Sequence, residues 1–367
     1  MKKTIAWIIF GFWPLMGWPQ QPSIPFPEPV SKATGGCLIA ELIFPQDDAP
    51  FQSCHASTLA ETSEGLVSAW FGGSREGASD VGIWVSREQS GSWSEPVRVA
   101  AGSDEGSRPA PCWNPVLFPL KGGPLLLFYK VGPSPREWWG EWMSSQDCGK
   151  SWSPASRLGD GPLGPLIGPV KNKPVVLGDT LLLCPSSTER TEAGEVFWTV
   201  HFERLDLRDR SWSVSGPIND GSIFDIIQPT ILHHSDGSLQ ALCRSRQDVI
   251  VQSWSADQGR SWSIPTPASL PNPNSGIDGI TLSDGRHILV FNPTLKAPTG
   301  NDRGILVVAV SGDGVRWDAA WTLENQQGEY SYPAVIQTTD GLIHISYTYN
   351  RKAIKHVVLD PAFLPGY

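Results

Sequence analysis

The chain alternates short apolar runs with tight polar turns. Glu64-Gly65, Gly122-Gly123, Gly178-Asp179, Asp236-Gly237, Asp284-Gly285 and Asp340-Gly341 each fall between two such runs. An acidic residue and Gly between strand-like runs is a strong hairpin signal, because Gly accepts the positive φ that a tight reversal needs. The turns recur about every 56 residues, and a strand-rich repeat of roughly 40–60 residues marks a propeller. Long helical periodicity is absent. The pattern therefore predicts an all-β fold, a six-bladed β-propeller of four-stranded antiparallel blades. The first blade is expected to use 55–60, 66–71, 81–85 and 97–100. The last blade has only three runs, 333–337, 342–347 and 354–359. The run 37–44 precedes the first blade and is free to supply the missing strand, which closes the ring and removes its edge.

A second pattern runs out of phase with the first. Ser145-Gln-Asp147-Cys-Gly149-Lys-Ser151-Trp152 and Ser255-Ala-Asp257-Gln-Gly259-Arg-Ser261-Trp262 share the form Ser-x-Asp-x-Gly-x-Ser-Trp, and Ser311 to Trp317 is a version one residue shorter. The chemistry is that of a β-turn: the Asp carboxylate accepts backbone N–H bonds, Gly takes the left-handed position and Trp staples neighbouring sheets. The pattern is a structural device.

Composition narrows the partners. The 367 residues carry a net charge of −9, so a polyanion such as nucleic acid is not expected against the surface as a whole. Residues 1–18 join a basic start to an apolar stretch and are read as a secretory signal, with an uncleaved membrane anchor as the alternative. Residues 19–34, rich in Pro and Gln, are expected to be a linker, and 35–367 the propeller. An exported protein, periplasmic or secreted, follows. The six cysteines lack metal-binding spacing and leave both disulfides and buried thiols open. Motifs for zinc, nucleotide or flavin are absent, so no cofactor is expected.

In an up-and-down meander, the start of strand one and the end of strand two lie on one face of the ring. Those positions carry His55, Arg75 and Asp80, then Trp113, Asn114 and Lys130, then Lys171, Asn172, Lys173 and Glu189. Asp225, Gln228, Arg244 and Arg246 follow, then Asp278, Asn292 and Arg303, then Tyr330, Tyr332 and Arg351. An acidic protein that gathers Arg and Lys at one mouth is suited to an anionic small ligand, such as a carboxylate held by arginine forks.

The Ser-x-Asp-x-Gly-x-Ser-Trp pattern is the Asp-box, and with it the chain resembles the sialidase (neuraminidase) superfamily of BNR-repeat propellers from about Cys37 onward. The resemblance implies three arginines on a sugar carboxylate, an Asp acid/base, and a Tyr nucleophile activated by a Glu. The segment Trp70-Phe-Gly-Gly-Ser-Arg75-Glu-Gly-Ala-Ser-Asp80 is similar to the one holding a ring-contacting Arg and the catalytic Asp. Arg244 and Arg303 resemble the second and third arginines by their distances from the following Asp-boxes. Tyr332 falls at the nucleophile position, with Tyr330 competing. Two positions depart from the family: His55 stands where the first arginine belongs, and Ile226 aligns with the activating Glu, leaving Asp225 to serve. Asn114, Lys171 and Lys173 complete the expected ligand set. A histidine there would make a weaker, pH-dependent fork.

The resulting expectation is a sialidase-type exo-glycosidase acting on a terminal acidic sugar of a glycan, with Asp80 needing a raised pKa to act as acid. Two alternatives use the same mouth. One is β-elimination of a uronate by His55 or Tyr332, and the other is a non-catalytic propeller that binds a glycan or a protein.

Overall fold

A computed structural model describes residues 30, 35–104, 106–296 and 302–366. The expected signal falls outside the described residues, as does the linker apart from Val30. Val30 is buried, and its N–H bonds the Thr322 carbonyl at 2.7 Å, so at that residue the segment is docked on the ring. Among the described residues there is no helix long and apolar enough to cross a membrane.

Six four-stranded antiparallel blades follow one another along the chain and form the propeller. Blade 1 runs Ser53–Thr62, Gly65–Gly73, Gly82–Gln89 and Val97–Ser103, each expected strand lengthened by a few residues or shifted at its start. Blade 2 uses Cys112–Pro119, Leu125–Val131, Trp139–Ser145 and Ser156–Arg157. Blade 3 uses Val175–Leu177, Leu181–Glu192, Glu195–Asp206 and Trp212–Ser215. Blade 4 uses Ile226–His233, Leu239–Ser245, Val249–Ser255 and Thr266–Pro271. Blade 5 uses Asp278–Thr281, His287–Phe291, Ile305–Ser311 and Asp318–Asn325. Blade 6 has Tyr330–Gln337, Ile343–Tyr349 and Ala353–Leu359, and Cys37–Leu42 pairs antiparallel with the last of these, closing the ring as expected.

Second strands are buried on both faces over most of their length, because neighbouring blades cover them. Every residue of Leu239–Ser245 is buried, Arg244 included. The Asp-boxes do what their residues dictate. Asp147 accepts from Ser151 N–H at 2.8 Å and from the Ser145 hydroxyl at 2.7 Å, with Gly149 at φ 82°. Trp262 of blade 4 then stacks on Phe202 of blade 3, centroids 4.0 Å apart.

One local device shapes the axis. The inner strands of blades 1, 2, 4 and 6 carry a bulge near their first residues, where Ala56, Asn114, Gln228 and Tyr332 take φ of 55°, 39°, 55° and 53°. A non-glycine residue with positive φ is strained, and strain of this kind collects at functional sites. The bulge turns each of these residues out of the strand alternation.

Candidate functional site

Tyr332 is the centre of the mouth. Its bulge separates it from Tyr330, which the strand period would otherwise put on the same face. Tyr330 is buried in the core shared by blades 5 and 6, its ring against Tyr349 and its hydroxyl on the Gln327 carbonyl. The competing placement of Tyr330 at the mouth is thereby corrected. Gly276 makes room for the Tyr332 ring, since a Cβ there would lie 3.1 Å from its Cγ.

Four of the expected residues converge on that ring. The His55 ring lies 4.1 Å away, centroid to centroid. Arg244 Cζ is at 5.6 Å, Arg303 Cζ at 5.8 Å and Lys171 Nζ at 5.9 Å. They come from blades 1, 4 and 5 and the segment before blade 3, so only ring closure brings them together.

Arg244 is 7% exposed, and its partners are all neutral. Nη1 donates to the Tyr332 hydroxyl at 2.5 Å and to Gln228 Oε1 at 3.1 Å, and Nε donates to Asn274 Oδ1 at 2.9 Å. Arg303 donates to Glu329 at 3.0 Å and to the Asn274 carbonyl at 3.3 Å. Glu329 also accepts from Arg351 at 2.9 Å. Burial pushes the Glu329 carboxyl up, but Arg351 and Arg303 more than offset this and hold it below the usual range. Arg351 also pairs with Glu76.

His55 departs from the expected pH-dependent ligand. It is 1% exposed, and burial, reinforced by the nearby Arg351, Arg303, Arg244 and Lys171 charges, drives its pKa well below the ordinary histidine value. The ring is therefore neutral across the physiological range and adds no charge to a fork. The Ala56 N–H donates to Thr348 Oγ1 at 3.2 Å, and that hydroxyl lies 2.9 Å from His55 Nδ1. The arrangement that satisfies every group has Thr348 donating to Nδ1, which assigns the ring proton to Nε2.

The lysines serve the scaffold. Lys171, 4% exposed, donates to Asn172 Oδ1 and the Ile277 carbonyl at 2.9 Å each and to the Pro333 carbonyl. All three of its protons are committed, and burial lowers its pKa to about 7. Lys173 pairs with Asp278 at 2.8 Å. Asp278, 2% exposed, also accepts from Thr230 Oγ1 at 3.0 Å and Val335 N–H at 2.9 Å, tying blades 4, 5 and 6 at the axis. The expectation that these lysines grip the ligand directly is corrected: their N–H groups are spent on the protein. Asn114 is buried at its bulge, and its carbonyl accepts from Lys130 at 3.2 Å.

Asp225 accepts from Trp198 N–H at 2.9 Å and from Arg246 at 3.2 Å, and no contact joins it to Tyr332 among the described residues. Ile226 lies in the core between blades 3 and 4, and Gln228 is the inner-strand residue that reaches Arg244. Arg75 is exposed on the rim. Asp80, also exposed, accepts from Ser74 N–H and Oγ at 2.9 Å each. Slight burial raises its pKa, but the Ser74 hydrogen bonds and Arg98 more than offset this, so the carboxyl sits below its ordinary value, opposite to the raised value a general acid needs.

Sequence reasoning placed Gln228, Glu189 and Arg351 at the mouth without assigning them a role. For Gln228 the signal was available: Asn114, Gln228 and Tyr332 all precede proline at one blade position, and the bulge falls there in each.

A closed six-bladed ring stapled by Asp-boxes defines a BNR-repeat propeller. The BNR repeat-like family matches residues 64–345, and the chain belongs to it. No curated protein matches the sequence. Among solved structures, the chain is similar to the NanB sialidase from Streptococcus pneumoniae, at 13% identity and a TM-score of 0.68 over 89% of this chain and 71% of that one. It is also similar to a leech intramolecular trans-sialidase complexed with 2,7-anhydro-Neu5Ac, at 15% identity and 0.63 over 89% and 71%. An α-L-arabinanase from Penicillium chrysogenum complexed with arabinobiose matches at 16% identity and 0.63 over 90% and 99%. At these identities the likeness shows the fold, one that also carries glycoside hydrolases.

Proposed function

We propose that the chain is an exported, retaining exo-glycosidase that removes a terminal acidic sugar from a glycan, with Tyr332 as nucleophile. One observation carries the reading: a buried guanidinium, Arg244, has only neutral hydrogen-bond partners and donates to the hydroxyl of that tyrosine. Burying a charge that has no carboxylate hydrogen-bonded to it costs several kcal/mol, on the order of magnitude known for ion pairs. A sugar carboxylate docked on Arg244, with Arg303 beside it, offsets that cost, and a guanidinium fork matches carboxylate geometry.

In the first half of the reaction, Tyr332 gives its phenolic proton to water in the mouth and Oη bonds the anomeric carbon. The bond to the leaving oxygen breaks, and that oxygen takes a proton from a carboxyl group. The Arg244 N–H stabilises the phenolate oxygen. In the second half water attacks the same carbon, the carboxylate takes the water proton, and the bonding electrons return to Oη, which is reprotonated from solvent. A carboxylate on the sugar repels an Asp or Glu nucleophile, and this is the setting in which sialidases use tyrosine. Neutral His55 fills the place of a third arginine with an N–H donor.

The test is turnover of 4-nitrophenyl glycosides of N-acetylneuraminic acid and of uronic acids. Turnover by the wild type that Tyr332→Phe lowers by about 10³-fold or more supports the reading. An inactive wild type on every acidic glycoside would refute it and leave a binding propeller.

A further inference from the structure

We infer that Glu189, rather than Asp80, is the carboxyl group that protonates the leaving oxygen. The assignment rests on the glycosidase reading above and names a residue that the family pattern does not supply.

The long hairpin Leu181–Glu192/Glu195–Asp206 of blade 3 has twelve residues in each arm and carries Glu189 directly opposite Trp198 at its mouth end. Trp198 is buried and packs against two guanidinium groups, Arg246 Cζ 4.1 Å and Arg244 Cζ 5.4 Å from its ring. Arg246 is itself anchored on Asp225 and on the Val196 carbonyl. The wall holding Glu189 therefore reaches the same Arg244 that donates to Tyr332. The Trp198 indole N–H is buried with no hydrogen-bond partner, and Glu189 is the residue across the strand pair from it.

The charges facing Glu189 are Arg244 and Arg246 from blade 4 and Arg136 from the blade 2 loop. Burial raises its pKa, and these three cations together with the Trp198 N–H do not cancel the rise. Asp80 has the opposite balance, with its carboxylate clamped by Ser74 and its pKa lowered. Substrate strengthens the contrast. A sugar carboxylate on Arg244 neutralises the nearest cation and adds a negative charge, so Glu189 holds its proton more firmly in the complex than in the free protein. As the C–O bond breaks, the Glu189 proton passes to the leaving oxygen, and the carboxylate left behind later takes a proton from the attacking water. The carboxyl returns to its starting state and the two halves balance.

The experiment compares Glu189→Gln and Asp80→Asn on two acidic glycosides, one with a 4-nitrophenyl leaving group and one with a methyl leaving group. A good leaving group needs no proton, so a lost general acid shows as a leaving-group-dependent defect of about 10²-fold or more. In kcat/KM, which reports the first half of the reaction alone, Glu189→Gln is expected to lose about 10²-fold on the methyl glycoside and under about 10-fold on the nitrophenyl one. It is also expected to lose the alkaline limb of the kcat–pH profile. An equal effect on both substrates, or the same signature from Asp80→Asn instead, overturns the assignment while the glycosidase reading stands. Absence of wild-type turnover overturns both. Unchanged circular dichroism and Tm, with partial rescue by Glu189→Asp, separate the chemical role from a folding defect.

Discussion

Replacing Arg244 by Met keeps the side-chain volume and removes the charge. The structure separates its two consequences. In the folded protein Arg244 is a buried cation whose three hydrogen bonds go to neutral groups. The lost charge-assisted bonds, each worth about 1.5–3 kcal/mol, are set against several kcal/mol of relieved desolvation, so stability should change by no more than about 2 kcal/mol. Binding loses a fork on a carboxylate, where each charge-assisted bond contributes about 1.5–3 kcal/mol. Arg303 remains to hold one oxygen, so the expected loss is about 3–4 kcal/mol, or 10²- to 10³-fold in Kd. Isothermal titration with an acidic monosaccharide, together with urea unfolding, measures both quantities. Ligand at 100 times Kd should raise wild-type stability by about 2.7 kcal/mol and leave Arg244→Met almost unmoved. A variant that binds as tightly as the wild type, or one that loses most of its stability, would refute the claim that this cation is kept for a ligand.

Other residues test the scaffold. Asp278→Asn removes the carboxylate that pairs with Lys173 and joins blades at the axis, and should cost about 3 kcal/mol in urea unfolding. Trp262→Ala removes the stack on Phe202 and should cost a similar amount, about 3 kcal/mol, with no change in ligand affinity. Burial, aided by neighbouring histidines, lowers the pKa of His287 and His344 to about 4, and burial with four nearby cations takes that of His55 well below its usual value. Because the folded values lie below the unfolded value near 6.5, the unfolded chain binds more protons as the solution is acidified. Stability is therefore full above about pH 6.5 and falls toward pH 4, by up to about 1.4 kcal/mol per pH unit for each histidine. His344→Gln should flatten the slope of unfolding midpoint against pH in that window, and an unchanged slope would contradict the assignment.

The blades were legible because their signals are local. A turn such as Asp236-Gly237 between apolar runs fixes a hairpin whatever surrounds it. The missing strand of blade 6 could be counted, and Cys37–Leu42 fills it. The site was only partly legible. Arg244, Arg303, His55 and Tyr332 were placed at one mouth by topology alone, and they meet there. Which charges stay available depends on pairings between blades, and sequence does not show these. Lys173 is neutralised by Asp278, 105 residues further along, and Arg351 by Glu76, 275 residues away. The positive-φ bulges also break the period-two rule, and this put Tyr330 on the wrong side and Ile226 in the place of Gln228. The protonation of Asp80 and His55 followed from a Ser74 clamp and from full burial, neither of which has a sequence motif.

The central claim is that Tyr332 attacks an acidic sugar held at this mouth. Incubation with a fluorinated acidic glycosyl fluoride, whose covalent intermediate turns over slowly, followed by intact-mass and peptide mass spectrometry, tests it directly. The account predicts one added sugar per chain, on the peptide containing Tyr332, and no adduct in Tyr332→Phe. An unmodified chain, or an adduct on any other residue, would contradict it.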